Sequence, residues 1–142
     1  MKNKHLFHEL KDCNSVVDIA NLGFEHCPIV DCGITDDVKV LELARKLVYY
    51  ISIGEILYIH CWGGHGRTGI LVCIMLYLIS GLTADQIFAY CGKVHSQRDQ
   101  VANIFMRENN SYKPVTSPQT QEQFIQVRRI IDKHRFNTGL KK

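Results

Sequence analysis

His60-Cys61-Trp62-Gly63-Gly64-His65-Gly66-Arg67-Thr68-Gly69 is the stretch that decides how this chain is read. A cysteine and an arginine stand six positions apart, with Gly63, Gly64 and Gly66 between them. The apolar run Ile56-Leu57-Tyr58-Ile59 comes before, and a long apolar helix pattern, Ile70 to Ile79, comes after. A strand, a tight glycine-rich loop and a helix start form an anion socket, because unpaired N–H groups of the loop and of the first helical turn converge on one point. Cys61 stands at the mouth of that socket and Arg67 at its closing end.

This arrangement suits nucleophilic attack on a phosphoryl group. The thiolate is the nucleophile, and a free thiol is mostly protonated at neutral pH. The helix terminus, the ring of N–H donors and Arg67 all favour the anion, so the pKa of Cys61 is expected to be depressed. The same donors bind phosphate oxygens, and an arginine meets two of them bidentately. Positioning and electrostatics supply most of the catalysis in phosphoryl transfer. Gly63, Gly64 and Gly66 let the backbone approach the ligand closely. The Thr68 hydroxyl is placed to hydrogen-bond the sulfur and help it leave. His60 is expected to brace the loop and tune the thiolate. Trp62 and His65 carry the loop's only sizeable side chains between Cys61 and Arg67 and are expected to form the rim that meets the rest of the substrate. A glycine-rich turn that merely links a strand to a helix around an inert cysteine is the plain alternative; the arginine at this spacing argues against it.

The stretch resembles the signature of the cysteine-dependent protein tyrosine phosphatases, His-Cys-x5-Arg-Ser/Thr-Gly. His60, Cys61, Gly66, Arg67, Thr68 and Gly69 fall in register with it, as does Gly63 or Gly64. The Cys-Trp-Gly-Gly-x-Gly-Arg form looks most like the small dual-specificity phosphatases, including the cyclin-dependent-kinase-associated type and compact prokaryotic relatives. Low-molecular-weight phosphatases, which carry their loop near the N-terminus, and rhodanese-like sulfurtransferases, which lack the Gly-Arg-Thr-Gly ending, fit less well.

The resemblance implies further roles. A leaving alkoxide or phenoxide needs a proton from a positioned carboxylic acid. Relatives carry a Pro-x-x-Asp-x-Gly-type loop, which Pro28-Ile29-Val30-Asp31-Cys32-Gly33 matches, so the acid maps onto Asp31. Asp36 and Asp37 compete for that role, although a cap and first-turn acids of a following helix explain them equally well. Ser117-Pro118-Gln119-Thr120-Gln121-Glu122-Gln123 resembles segments that hold the hydrolytic water, which nominates Gln119 or Gln123; ordinary capping and helix residues are the competing explanation. Some relatives protect the nucleophile by a reversible disulfide to a nearby cysteine; Cys32, beside the candidate acid, and Cys27, close to it, are the candidate partners of Cys61, and unpaired thiols are the plain alternative.

Composition bounds the rest. The chain has 142 residues, which suggests one domain spanning 1–142, and its 46% hydrophobic and 22% charged content is ordinary for a globule with a sizeable core. A net charge of +3 with no long Lys/Arg run gives no case for nucleic-acid binding. No apolar run is long enough to span a membrane. Six cysteines without an export signal point to a reducing cytoplasm. His60, Cys61 and His65 lack metal-ligand spacing, so no metal or other cofactor is expected.

Ser15–Ile19, Cys27–Val30 and Ile56–His60 are strand candidates. Val38–Tyr50, Ile70–Ser80, Ala84–Gly92, Val101–Arg107 and Thr120–His134 carry helical patterns, with Gly81 as a helix stop. Asn109–Pro118 reads as a polar loop and Asn137–Lys142 as a loose tail. The expectation is an α/β, protein tyrosine phosphatase-like fold with a central mixed sheet flanked by helices. Fewer residues precede Asp31 than relatives place there, so the resemblance leads us to expect an abbreviated N-terminal part, with either a smaller sheet or a homodimer partner that completes it. The expected function is a protein phosphatase of dual specificity acting on phosphorylated proteins or peptides through a phosphocysteine intermediate. The alternatives are a phosphatase of phosphoinositides, inositol phosphates or RNA 5′ ends, and a phosphate-binding pseudophosphatase or adaptor. Trp62 and His65 stand where lipid-directed relatives often carry lysines, and the intact Cys61, Arg67 and Asp31 argue against an adaptor.

Overall fold

The computed structural model describes residues 22–98, 105–108 and 111–139. Its elements run α1 (Asp37–Ser52), α2 (Gly66–Ser80), α3 (Ala84–Ser96), β1 (Phe105–Glu108), β2 (Ser111–Pro114) and α4 (Gln121–Thr138). Each helix starts where its sequence provides a cap or a glycine-rich turn. The Asp36 carboxylate accepts from the N–H groups of Val38 and Lys39 at 3.0 and 2.9 Å and starts α1. Thr83 and Gln86 form a reciprocal capping box at the start of α3, and Thr120 and Gln123 form another at the start of α4. Gly81, left-handed at φ +68°, closes α2 with its N–H on the Tyr77 carbonyl at 2.8 Å.

α2 is apolar on almost every side, and such a helix belongs in the middle of a core. It packs against α1, α3 and α4. Ile70, Cys73, Ile74 and Tyr77 of α2 are buried among Val40, Ala44 and Leu47 of α1, Ile87 of α3, and Val127, Ile130 and Ile131 of α4. Because α2 begins at Gly66, this core fixes the end of the Cys61–Arg67 loop.

The expected central mixed sheet is contradicted. Among the described residues the sheet is a single antiparallel hairpin, β1 on β2, with Phe105 opposite Pro114 and Glu108 opposite Ser111. Cys27–Val30 and Ile56–His60 form no ladder. The alternation in Ile56–His60 does turn Leu57 and Ile59 onto the helical core. It also leaves Ile56 98% and Tyr58 75% exposed. An apolar run states an attraction to a core; pairing as a strand needs a second edge, which no described segment supplies. Two further expectations are corrected: Phe105–Glu108 is a strand where Val101–Arg107 carries a helical pattern, and Ser111–Pro114 is its partner where a polar loop was expected. The closing helix runs on to Thr138, into the expected tail, and Gly139 caps it. Ser15–Ile19 and the N-terminal part expected to be abbreviated lie outside the described residues.

Candidate active site

Three segments distant in sequence meet at one cavity of about 160 Å3, lined by Asp31, Cys32, Cys61, Trp62, Gly63, His65, Gly66, Arg67 and Gln119. Cys61 is half-buried, and its sulfur accepts a hydrogen bond from the Gly64 N–H at 3.2 Å. Gly64 has φ +69°, a conformation that favours glycine and that aims its N–H back at the sulfur. Burial pushes the thiol up. The Thr68 hydroxyl and N–H, the Gly64 N–H and the Arg67 charge together outweigh it and hold the pKa below the ordinary cysteine value. The Thr68 hydroxyl is buried and makes no hydrogen bond of good geometry among the described residues.

Arg67 Nη2 lies 2.8 Å from Asp31 Oδ1, so the candidate acid is paired with the guanidinium at the end of the loop. Asp36 is taken up as the helix cap. Asp37 faces away, paired with Arg129 through two contacts of 2.7 Å, and these bonds hold its carboxyl below the usual range against the opposing effect of burial. Asp31 is therefore the carboxylate at the cavity. It lies in a tight turn closed by Gly33 N–H on the Val30 carbonyl at 2.9 Å, with Cys32 at φ +58°, uncommon for a side-chain-bearing residue.

α4 holds that turn in place. Thr120 Oγ1 donates to the Cys32 carbonyl at 3.2 Å and Gln123 Nε2 to the Gly33 carbonyl at 2.9 Å. Gln126 Nε2 donates to the Thr35 carbonyl and, at 2.8 Å, to Asp37. Gln123 is fully buried, and its Oε1 accepts from the N–H groups of Gln119 and Thr120 at 3.0 and 3.2 Å. Both ends of its amide are thereby engaged in a brace, and Gln119 is the glutamine that borders the cavity. The Gln123 amide also packs on Gly66, where an added Cβ would come within 2.7 Å of it. Ser117 Oγ donates to the His65 carbonyl at 2.8 Å and ties the same region to the loop.

The other loop residues take distinct places. Trp62 is 96% exposed at the rim. His60 is exposed, with Nδ1 3.3 Å from the Cys61 carbonyl and its ring stacked on Tyr58 at 5.2 Å. His65 lines the cavity but turns Nδ1 to His95 Nε2, 2.8 Å away. Cys27, Cys32 and Cys61 are free thiols, and Cys32 shares the cavity with Cys61. Among the described residues no cluster of three or more His, Cys, Asp and Glu could hold a metal ion, and no helix is long and apolar enough to cross a membrane.

Sequence reasoning missed Thr120 and Gln126 as clamps on the acid turn, and His95 and Arg98 behind the loop. A capping box predicts the Thr120–Gln123 pairing, but nothing local in the sequence points to carbonyls some ninety residues away.

Comparison with known proteins agrees with this geometry. The family model described as "Swiss Army Knife protein, DSP-PTPase phosphatase domain" matches residues 9–125. The chain belongs to this family of dual-specificity-type, cysteine-based phosphatases. "Putative tyrosine phosphatase 067L" of Invertebrate iridescent virus 3 is 30% identical over 129 residues, covering 88% of this chain and 48% of the viral protein. "Putative tyrosine phosphatase 197R" of Invertebrate iridescent virus 6 is 29% identical, covering 70% and 41%. "Cyclin-dependent kinase inhibitor 3" of Mus musculus is 33% identical over 61 residues, covering 43% and 29%. The chain thus spans less than half the length of either viral relative. No solved structure gives a significant match.

Proposed function

We propose that this chain is a single catalytic domain that hydrolyses phosphate monoesters on phosphorylated proteins or peptides, tyrosine and serine/threonine esters alike, in a reducing compartment such as the cytoplasm. The observation that carries this reading is the meeting of a thiol of lowered pKa, Arg67 and Asp31 at one cavity. Arg67, with the loop N–H groups, binds the phosphoryl oxygens once the ester displaces Asp31 from the guanidinium. The Cys61 thiolate attacks phosphorus in line, the P–O bond to the leaving group breaks, and Asp31 delivers its proton to the departing oxygen. A phosphocysteine remains. Asp31, now a carboxylate, takes a proton from water as that water attacks phosphorus. The P–S bond breaks, inorganic phosphate leaves, and the Thr68 hydroxyl stabilises the returning thiolate. Gln119, at the cavity edge, supports the placement of that water. Trp62, exposed at the rim, offers an apolar face to the residue that carries the ester.

The test is hydrolysis of para-nitrophenyl phosphate with EDTA present, by wild type and by Cys61→Ser. Metal-independent turnover that disappears in Cys61→Ser, with phosphate-ester binding retained, is the expected result. Undiminished turnover in Cys61→Ser would sink the assignment.

A further inference from the structure

The C-terminal end of α3 abuts the phosphate loop. His95, in its last turn, is only 6% exposed, and its ring meets His65 edge to face with centroids 5.0 Å apart and a nitrogen–nitrogen distance of 2.8 Å. Three residues on, Arg98 Nη1 donates to the Gly64 carbonyl at 3.3 Å, and the guanidinium lies 3.5 Å from where a Gly64 Cβ would stand. Gly64 is the residue whose N–H reaches the Cys61 sulfur. Its carbonyl and the ring of its neighbour are therefore held by one helix end.

Restraint of this kind is what the loop lacks by itself. Three glycines in four positions give the backbone wide freedom, and freedom in a binding loop weakens the hydrogen bonds it offers. A histidine pair joined by one hydrogen bond has one ring donating and the other accepting. Burial, followed by the Arg98 charge, disfavours protonation of His65, and burial, His65 and Arg98 do the same for His95. The pair therefore stays neutral and joined near pH 7, where the loop has to bind a dianion.

We infer that His95 and Arg98 are positioning residues for the phosphate loop: they fix His65 and Gly64, and so keep the Gly64 N–H on the Cys61 sulfur. The consequence for turnover rests on the phosphatase reading, but the effect on the thiolate does not. The measurement is therefore the rate of Cys61 alkylation by iodoacetamide against pH, taken beside the kinetics on para-nitrophenyl phosphate and the thermal midpoint. Asp31, Cys32, His65 and Arg67 line the cavity with the sulfur and are unchanged in every variant. Arg98→Ala and His95→Leu are each expected to slow alkylation roughly three- to tenfold below the thiol's apparent pKa, the scale of one weakened hydrogen bond to a charged group. His95→Gln, whose amide reaches the place of Nε2, is expected to restore most of the rate. A lower thermal midpoint with an unchanged alkylation profile would show that the two residues only support the fold, and would overturn the inference. If His95→Leu does not fold, the exposed Arg98→Ala decides alone: a wild-type profile there overturns it. A wild-type chain that alkylates rapidly in mild acid yet hydrolyses no aryl phosphate would defeat the phosphatase reading and leave this one standing.

Discussion

Gln123→Leu separates two roles for one residue. The sequence nominates Gln123 as a holder of hydrolytic water; the structure buries it completely and engages both ends of its amide. Leucine fills nearly the same space but leaves the Gly33 carbonyl and the N–H groups of Gln119 and Thr120 without their partner. Three lost bonds at about 1 kcal/mol each give about 3 kcal/mol. The greater apolar burial of leucine returns about 1 kcal/mol of that, so the net loss is about 2 kcal/mol. For a chain of this size that lowers the thermal midpoint by roughly 5–8 °C. Urea unfolding followed by helical circular dichroism is the suitable assay, because Trp62 is almost fully exposed and changes environment little on unfolding. Turnover is expected to fall as well, since the turn that carries Asp31 loses its tie to α4. A variant within about 0.5 kcal/mol of wild type in stability, yet accumulating phosphocysteine, would refute the brace and reinstate the water-holding role.

Asp31→Asn removes the proposed proton donor and also frees Arg67 from its ion pair. Turnover on a phenyl phosphate is expected to fall by roughly 10²–10⁴-fold. Inhibition by inorganic phosphate is expected to tighten about two- to fivefold, the scale of an exposed ion pair; unchanged or weaker inhibition would show that the pair does not compete with ligand. Gly69→Ala brings a Cβ to 2.5 Å from Ser117 Oγ and 2.9 Å from the Pro118 Cα, so about 1–3 kcal/mol of stability is expected to be lost, measured by chemical denaturation. Asp37 has its folded pKa lowered, so its contribution is complete above the unfolded value of about 4 and is lost as pH falls through the depressed folded one. Because the Asp37–Arg129 pair is partly exposed, that contribution is at most about 1 kcal/mol. Asp37→Asn is expected to be less stable at pH 7 and to show a flatter acid-unfolding curve below about pH 4.

The loop was legible because it is written in adjacent residues: a cysteine, an arginine and glycines at fixed spacing need no knowledge of distant contacts. The helices were legible for a similar reason, since caps such as Asp36, Thr83 and Thr120 and the stop at Gly81 act within four residues. What failed was pairing. Ile56–His60 carries a strand's alternation, but a ladder depends on a second segment, and the alternation only placed Leu57 and Ile59 on the helices. The hairpin was misread for the opposite reason: Phe105–Glu108 lies in a stretch whose apolar spacing suits a helix, and its partner across the turn decided otherwise. The histidine behind the loop shows the same limit, since His95 at a helix C-terminus already has a sufficient local explanation in the helix dipole.

The way the acid is mounted constrains how it can act. The backbone on the C-terminal side of Asp31 is pinned: the carbonyls of Cys32, Gly33 and Thr35 each accept from α4, and Asp37 is bound to Arg129. The Asp31 carboxylate itself remains 78% exposed, with Arg67 as its ionic partner. Moving the carboxyl from the guanidinium to a leaving oxygen therefore needs rotation about the side-chain bonds and leaves those backbone hydrogen bonds intact. Side-chain rotation of an exposed residue takes picoseconds to nanoseconds, whereas closure of a lid takes microseconds to milliseconds. Arg67 has the matching freedom to choose, because a phosphoryl group offers it two oxygens in bidentate geometry where Asp31 Oδ1 now gives one close contact. In the proposed mechanism, an ester that enters the cavity thus releases Asp31 by taking the arginine. The Asp31 carboxyl is then free beside Cys61, on a turn that α4 has already fixed.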